Sequence, residues 1–304
     1  MEIVKRLEEI PSSFKLGLIL GNFDGVHLGH QHILNQVKKK CENEGAKTCV
    51  MTFEPHPLVV LNEHKNFLIM TTNQKRKALR NLGVDFLIEM NFSKKLSQQS
   101  PEDFLTKDLF PVANISWFFL GYDFRFGAER AGDFHTVEKF VKNKAITLIQ
   151  LDKYVSKKEV APSSTLIREK IKSGDITKAN DLLGSNYRLE GTVVQGDGRG
   201  RTIGYPTANL NYREENIIPL VGVYKTNAII NGSLFKSITN IGYNPTFINT
   251  RTIKIETHIL DFTSNIYGET IELEFLERVR DEMRFSCRDE LILQIEKDIS
   301  RTYS

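Results

Sequence analysis

Cysteine is scarce in this chain: Cys41, Cys49 and Cys287 are the only three among 304 residues, with no CxxC pair. An odd count without framework spacing excludes a disulfide-stapled secreted domain and reads as small buried thiols in a reducing compartment. An excess of charge of one sign is also lacking. The 41 Lys and Arg nearly balance the 38 Asp and Glu, leaving a net charge of +3. That permits small anionic ligands but falls short of the strongly basic face that nucleic-acid binding needs. Long apolar runs are missing, since Leu16–Leu20 and Trp117–Leu120 are far too short to span a membrane. The amino-terminal MEIVKRLEEI is charged and has no apolar signal core. Together these absences give the expectation of a soluble protein of the cytoplasm that binds neither nucleic acid nor membrane. No internal repeat or low-complexity tract is evident.

What is present suffices for two cores. At ~150 residues per domain, the 304 residues suggest two domains, and 40% hydrophobic with 26% charged residues is an ordinary globular balance. In the first half, Leu16–Leu20, Lys47–Phe53, Asp85–Met90, Ile115–Leu120 and Ala145–Leu151 read as buried strands. Between them Leu28–Glu44, Thr72–Leu82, Pro101–Phe110 and Gly132–Lys142 have helical spacing. Alternation of this kind predicts an α/β domain with a parallel sheet, whose ligands sit outside the carboxyl ends of the strands.

Lys153–Pro162 is polar and lysine-rich and reads as a loop, and Ser163–Gly184 as two short helices separated by Ser173-Gly174-Asp175. From Tyr187 the period becomes two: YRLEGTVV, VGVYKTNAII, TIKIETHIL and TIELEFLERV alternate as half-buried antiparallel strands, with turn signals such as Asn231-Gly232. Cys287–Ile299 returns to helical spacing. The boundary is placed near Leu183–Asn186, giving domains of residues 1–184 and 185–304.

Two loops carry candidate chemistry. GNFDGVHLGHQHIL leaves a strand and opens a helix. Gly21, Gly25 and Gly29 permit a sharp turn and close backbone approach. The helix start near Leu28 or Gly29 presents unpaired N–H groups and a positive dipole end, and His27 and His30, three apart, can face the same side. Such a pocket favours a polyphosphate. It is not a P-loop, since no GK[ST] follows, and the three histidines have no further ligand at metal-binding spacing. His32 reads as a helix-surface residue. The second loop, GTVVQGDGRGRTIGYPTANL, holds Gly196, Gly198, Gly200 and Gly204 with Arg199 and Arg201. A phosphate loop and a plain surface hairpin are both consistent with that stretch alone.

FDGVHLGH taken whole resembles the HxGH signature of the nucleotidyltransferase superfamily, as His27-Leu28-Gly29-His30. SSTLIR, Ser163–Arg168, resembles its second phosphate-reaching turn, although Ser163, Ser164 and Thr165 are also ordinary helix-opening residues. FEPHP (Phe53–Pro57) and GYDFRFGAERAGD (Gly121–Asp133) resemble the adenylyltransferase half of the bacterial bifunctional riboflavin kinase/FAD synthetases. GDGRGR with PTAN (Pro206–Asn209), NIGYNPTF, IETHILDF and RDEMRF resemble the riboflavin kinase half. The match runs from Leu16 to about Ile299. It departs at Pro162, where an aliphatic residue is expected, and at Asn244, where a basic one is usual.

The resemblance implies a Rossmann-like nucleotidyltransferase domain, followed by a small, roughly six-stranded β-barrel with a terminal helix. It implies that the first adenylylates FMN to FAD with release of pyrophosphate and the second phosphorylates riboflavin to FMN, both with ATP and Mg²⁺. By this resemblance His27 and His30 stabilise the phosphates, aided by Arg168 and the helix end, while Phe53, His56 and Asp123 contact flavin or nucleotide. Gly21, Phe23 and Gly29 would shape the first pocket, and Asp24 is either a turn residue or a polar contact. In the second, Gly198 would belong to the phosphate loop, Thr207 and Asn209 would hold Mg²⁺, Glu256 would be the general base, and Arg280 would lie near the flavin. In the alternating strand, Lys254, Glu256 and His258 share the face opposite Ile253, Ile255 and Thr257. A nucleotidyltransferase for pantetheine phosphate or nicotinamide mononucleotide would share HxGH and SSTLIR, but not the PTAN half. A flavin-binding regulator with one inert domain is the remaining alternative.

Overall fold

The computed structural model describes every residue except 63–64, 111–113, 153, 155–159, 244–252 and 304. By contacts the chain forms two units: Met1–Lys65 with Thr71–Ser163, and Asn66–Met70 with Ser164–Ser304.

The first unit is built on six parallel strands: β1 (Glu2–Val4), β2 (Leu16–Leu20), β3 (Lys47–Glu54), β4 (Phe86–Asn91), β5 (Ile115–Gly121) and β6 (Thr147–Leu151). Their order across the sheet is β1-β4-β3-β2-β5-β6. Leu16–Leu20 is buried along its whole length, as a central parallel strand covered on both faces must be. Helices α1 (Leu28–Asn43), α2 (Pro57–Asn62), α3 (Thr72–Asn81), α4 (Lys94–Ser97), α5 (Pro101–Phe104) and α6 (Phe134–Val141) join the strands. Leu18, Met51, Ile88 and Phe118 on neighbouring strands pack into one core with Val137 of α6.

The expected strands and helices lie within a few residues of their predicted bounds, with some differences. The predicted helix Pro101–Phe110 is α5 followed by a wider π-type turn over Leu105–Leu109. Edge strand β1 and the short α2 and α4 carried no clear period and were not expected.

In the second unit, α7 (Ser164–Lys172) and α8 (Ile176–Leu183) precede a closed antiparallel barrel of β7 (Tyr187–Val194), β8 (Ala208–Tyr212), β9 (Gly222–Ile230), β10 (Ser233–Tyr243), β11 (Ile253–Ile259) and β12 (Thr270–Arg280). The short helical turn α9 (Arg199–Thr202) lies between β7 and β8, and α10 (Arg288–Tyr303) ends the chain. Inward residues alternate with outward ones, as in β7, where Tyr187, Leu189, Gly191 and Val193 are buried. Closure leaves no open sheet edge. Part of the barrel interior is polar. Thr226 Oγ1 lies 2.8 Å from both Ser237 Oγ and Thr239 Oγ1, and Thr239 Oγ1 donates to Thr257 Oγ1 at 3.0 Å. Bonding to one another removes the cost of burying these hydroxyls.

In the first unit the carboxylate of Glu89, on β4, is fully buried, and Arg76 of α3 grips both its oxygens, at 2.7 and 2.6 Å, while Lys5 bonds one at 3.1 Å. Burial pushes the Glu89 carboxyl up, but the bonds from Arg76 and Lys5 outweigh it and leave the group below its ordinary pKa. A folded pKa below the unfolded one contributes stability at neutral pH that disappears as pH falls through the carboxylate range. Glu89→Gln is therefore expected to cost about 3 kcal/mol at pH 7 by leaving a partly buried cation unpaired. Urea denaturation should show the difference from wild type shrinking below about pH 4.

Candidate active sites

In the first sheet the chain leaves β2 toward β3 on one side and, after β4, crosses to β5 on the other. The crevice outside the carboxyl ends of β2 and β5 is the topological switch point, where open parallel sheets bind ligands. Gly21–His27 occupies it. The turn bends through left-handed backbone at Phe23 (φ 50°), Gly25 (φ 87°) and Val26 (φ 36°), and for a β-branched valine that conformation is strained. Phe23, Asp24 and Val26 are all buried, so packing sustains the strain.

His27 caps α1: its Nδ1 accepts the His30 N–H at 3.3 Å. With Nδ1 accepting, the proton of a neutral ring sits on Nε2. The His27 and His30 rings stack with centroids 3.7 Å apart, and His30 also packs against Phe23 at 5.1 Å. A Cβ at Gly29 would lie 3.1 Å from two atoms of the His27 ring, so any larger residue between the histidines would press on the stack. Burial, then His27 and Lys75, hold the His30 pKa well below its ordinary value, and the ring is neutral at pH 7. Its inaccessible Nδ1 has no hydrogen-bond partner. A proton on Nε2 leaves only a lone pair in that contact, not an unmet donor.

Lys75, on α3, is a site residue that the sequence did not single out. It is buried, and its Nζ reaches Thr52 Oγ1 at 3.4 Å and the Asn22 carbonyl at 3.5 Å. It reads as one more polar residue of an amphipathic helix, so only the tertiary structure reveals it.

Other expected residues are more varied. Phe53 lies at the carboxyl end of β3 in an aromatic series, 5.4 Å from Phe92 and 6.4 Å from Phe104. His56 is buried, with Nδ1 accepting the Leu58 N–H at 3.2 Å. Asp123 is exposed just past β5. Ser163 ends the first unit, whereas Ser164, Thr165 and Arg168 belong to α7 of the second. There Arg168 stacks its guanidinium 3.7 Å from the Phe67 ring and donates Nε–H to the Phe67 carbonyl at 2.9 Å.

The second unit brings its candidates together on adjacent strands. Glu256 of β11 pairs in register with Asn209 of β8 on one side and with Asn240 of β10 on the other. Thr207 and Asn209, two apart, share one face at the start of β8. Asn209 is buried and its Oδ1 has no hydrogen-bond partner. A Cβ at Gly196 would lie 2.1 Å from the Asn209 amide nitrogen, which fixes glycine there. The loop between β7 and β8 is a shaped element, not a plain hairpin. Gly198 (φ 69°) caps α9, and Lys254 Nζ ties Asp197 at 2.9 Å while lying 3.4 Å from Glu256 Oε1. The Asp197 carboxyl is held low by that bond. Burial pushes the Lys254 ammonium down, but Asp197 and Glu256 more than reverse it.

As expected, Lys254, Glu256 and His258 face one way while Ile255 and Thr257 are buried. With Thr207, Tyr205 and Arg280, those outward residues line a cavity of about 710 Å³, to which Met283, Phe285 and Leu291 contribute apolar surface. Arg280 is anchored at its rim by Asp298 of α10, at 2.7 and 2.8 Å. A cavity of that size with both apolar and carboxylate-bearing lining suits a small aromatic ligand that also carries polar groups. Asn244 lies outside the described residues.

The family model described as FAD synthetase matches residues 12–166, and that described as riboflavin kinase matches residues 183–304. A bifunctional riboflavin kinase/FMN adenylyltransferase of Listeria monocytogenes is 38% identical over 284 residues, spanning 92% of this chain and 89% of that protein. The protein of that name from Bacillus subtilis is 37% identical over 92% of this chain and 89% of its own. The Escherichia coli K12 one is 31% identical over 98% and 96%. A solved structure described as a macrolide-efflux protein from Streptococcus pneumoniae is 29% identical and superposes with a TM-score of 0.88 over 99% of this chain and 98% of that one. Among the described residues, no helix of this chain is long and apolar enough to cross a membrane.

Because Gly196 leaves no room for a Cβ beside Asn209, Gly196→Ala should displace the amide. Calorimetric titration with MgATP is expected to show about tenfold weaker binding at the second site, the equivalent of one hydrogen bond to a charged group. Binding at the first site should be unchanged.

Proposed function

Because this chain belongs to the bifunctional riboflavin kinase/FMN adenylyltransferase family, we propose that it converts riboflavin to FMN and FMN to FAD, consuming ATP at two separate sites. We assign adenylyl transfer to residues 1–184 and riboflavin phosphorylation to residues 185–304. The substrates are small molecules: riboflavin, FMN and ATP. A reducing cytoplasm, where ATP is available, suits the free cysteines Cys41, Cys49 and Cys287.

In the kinase unit Glu256 is the general base. Its carboxylate takes the proton of the ribityl 5′-hydroxyl as that oxygen attacks the γ-phosphorus, and the bond to the β-phosphate oxygen breaks to release ADP. The observation that carries this reading is the cross-strand pairing of Glu256 with Asn209. It sets a carboxylate beside a buried amide oxygen that has no protein partner. Thr207 Oγ1 and Asn209 Oδ1 are hard oxygen donors that fit Mg²⁺, and when bound it would supply charge neutralisation for the ATP phosphates. Lys254 orients Glu256 and restrains the glycine-rich loop through Asp197. Arg280 and the apolar lining of the cavity hold the flavin.

In the adenylyl-transfer unit an FMN phosphate oxygen attacks the α-phosphorus of ATP. The bond from that phosphorus to the β-phosphate oxygen breaks, and pyrophosphate leaves. No covalent enzyme intermediate is needed, so positioning and charge stabilisation do the catalysis. The start of α1 and the Nε2–H groups of His27 and His30 bind the polyphosphate and stabilise charge on the leaving pyrophosphate. Gly21, Phe23, Asp24 and Gly29 shape that turn. Phe53, His56 and Asp123 border the flavin or nucleotide, and Ser163 adds a phosphate contact.

The test is to incubate the purified chain with riboflavin and MgATP and follow FMN and FAD by chromatography. Both products are expected. FMN alone would mean an inert first unit, and binding without turnover would favour a flavin-binding regulator. Glu256→Gln should lower FMN formation by at least about 100-fold while supplied FMN is still converted to FAD. His30→Ala is expected to do the reverse, reducing FAD formation about 100-fold with riboflavin phosphorylation intact. Undiminished activity in either variant removes that residue from its assigned role.

A further inference from the structure

Lys75 is a buried cation to which the mechanism above gives no part. Among the described residues no carboxylate lies within ion-pair distance of it; its bonds go to the Thr52 hydroxyl and the Asn22 carbonyl. Glu54 of β3, Asp24 of the turn and Glu89 of β4 act on it from further away, with Arg76 opposing on its own helix. Glu89 is already engaged by Arg76 and Lys5. A buried ammonium without a contact counterion is costly, and a methionine would fill the same volume without that cost.

The bonds show what the charge is suited to do. Thr52 Oγ1 also donates to the Asn22 carbonyl, at 3.2 Å. One carbonyl therefore receives two donors, from β3 and α3, immediately before Phe23 turns into left-handed backbone. Two donors from different elements fix the plane of the Asn22–Phe23 peptide, and with it the entry to the turn that carries His27 and His30.

We propose that Lys75 is a positioning residue for adenylyl transfer, its buried ammonium holding the Asn22 carbonyl and fixing a positive charge beneath the phosphate-binding turn. The proposal rests on the reading of the first unit as the adenylyl-transfer site. It has an electrostatic consequence as well. The charged or titratable groups acting on His30 are His27 and Lys75, and both lower its affinity for a proton. Removing the Lys75 charge relieves one of these repulsions and lets His30 titrate at higher pH.

The experiment compares wild type with Lys75→Met in the full chain. Riboflavin phosphorylation by the same polypeptide serves as an internal control for folding. Conversion of supplied FMN to FAD is expected to fall about 100-fold, with phosphorylation unchanged and thermal stability equal or higher. In a chain labelled with ¹³C-histidine, the His30 resonance, identified by its loss in His30→Ala, should titrate at higher pH in Lys75→Met. The acidic limb of any residual FAD synthesis should shift the same way, which a merely space-filling lysine would not cause. Wild-type FAD synthesis in Lys75→Met, or an unmoved His30 midpoint, overturns the proposal. Should the wild type form no FAD, the function assigned to the first unit fails, and the His30 midpoint still decides whether Lys75 sets the charge of the turn.

Discussion

At Gly29 a Cβ would come within 3.1 Å of the His27 ring, and at Gly196 within 2.1 Å of the Asn209 amide. At Gly196 the Asn209 amide occupies the volume that a methyl group would claim, and at Gly29 any larger residue would press on the His27 ring. Neither glycine is needed for a left-handed turn, since neither is among the residues with positive φ. Contact, not backbone conformation, is what presses on both positions. The seating of Asn209 beside Glu256 depends on the missing methyl group at Gly196, and the stack of His27 on His30 gains room from the one at Gly29.

Helix α3 holds two buried charge problems with opposite solutions. Glu89 is neutralised in contact by Arg76 and Lys5, the arrangement of a structural ion pair. Lys75, one residue before Arg76, has only neutral atoms in contact. The first ties a helix to the sheet, and the second sets a positive charge against the Asn22 carbonyl, just past the carboxyl end of β2. Adjacent positions on one helix thus reach neighbouring strands at one level, since Thr52 and Glu89 pair in register.

Most of the fold was legible in the sequence because its periods are strong. LGLIL and YRLEGTVV coincide with β2 and β7 to the residue, since a fully buried run and a strict alternation each have one good solution. Strand β10 was not legible. Its inward Ser237 and Thr239 are polar, so no alternation marks SLFKSITNIGY. Only closure of the barrel supplies Thr226 and Thr257 from neighbouring strands as their partners. Strand β1 is three residues at an edge, too short for a period. The π-type turn after Phe104 likewise departs from a spacing that local sequence favours.

The sequence by itself determined the division into an α/β half and an antiparallel half, the glycine-bearing turn ahead of α1, and the chemical types available at each site. Those follow from local period, turn chemistry and motif spacing, which act over a few residues. Tertiary structure alone decided that Asn209 lies across from Glu256, that Lys254 joins Asp197 to that carboxylate, and that Lys75 reaches the Asn22 carbonyl. Apart from Lys254 and Glu256, which share β11, those contacts link residues from different elements. Strand register and helix packing set their distances, and these are fixed only when the whole core closes.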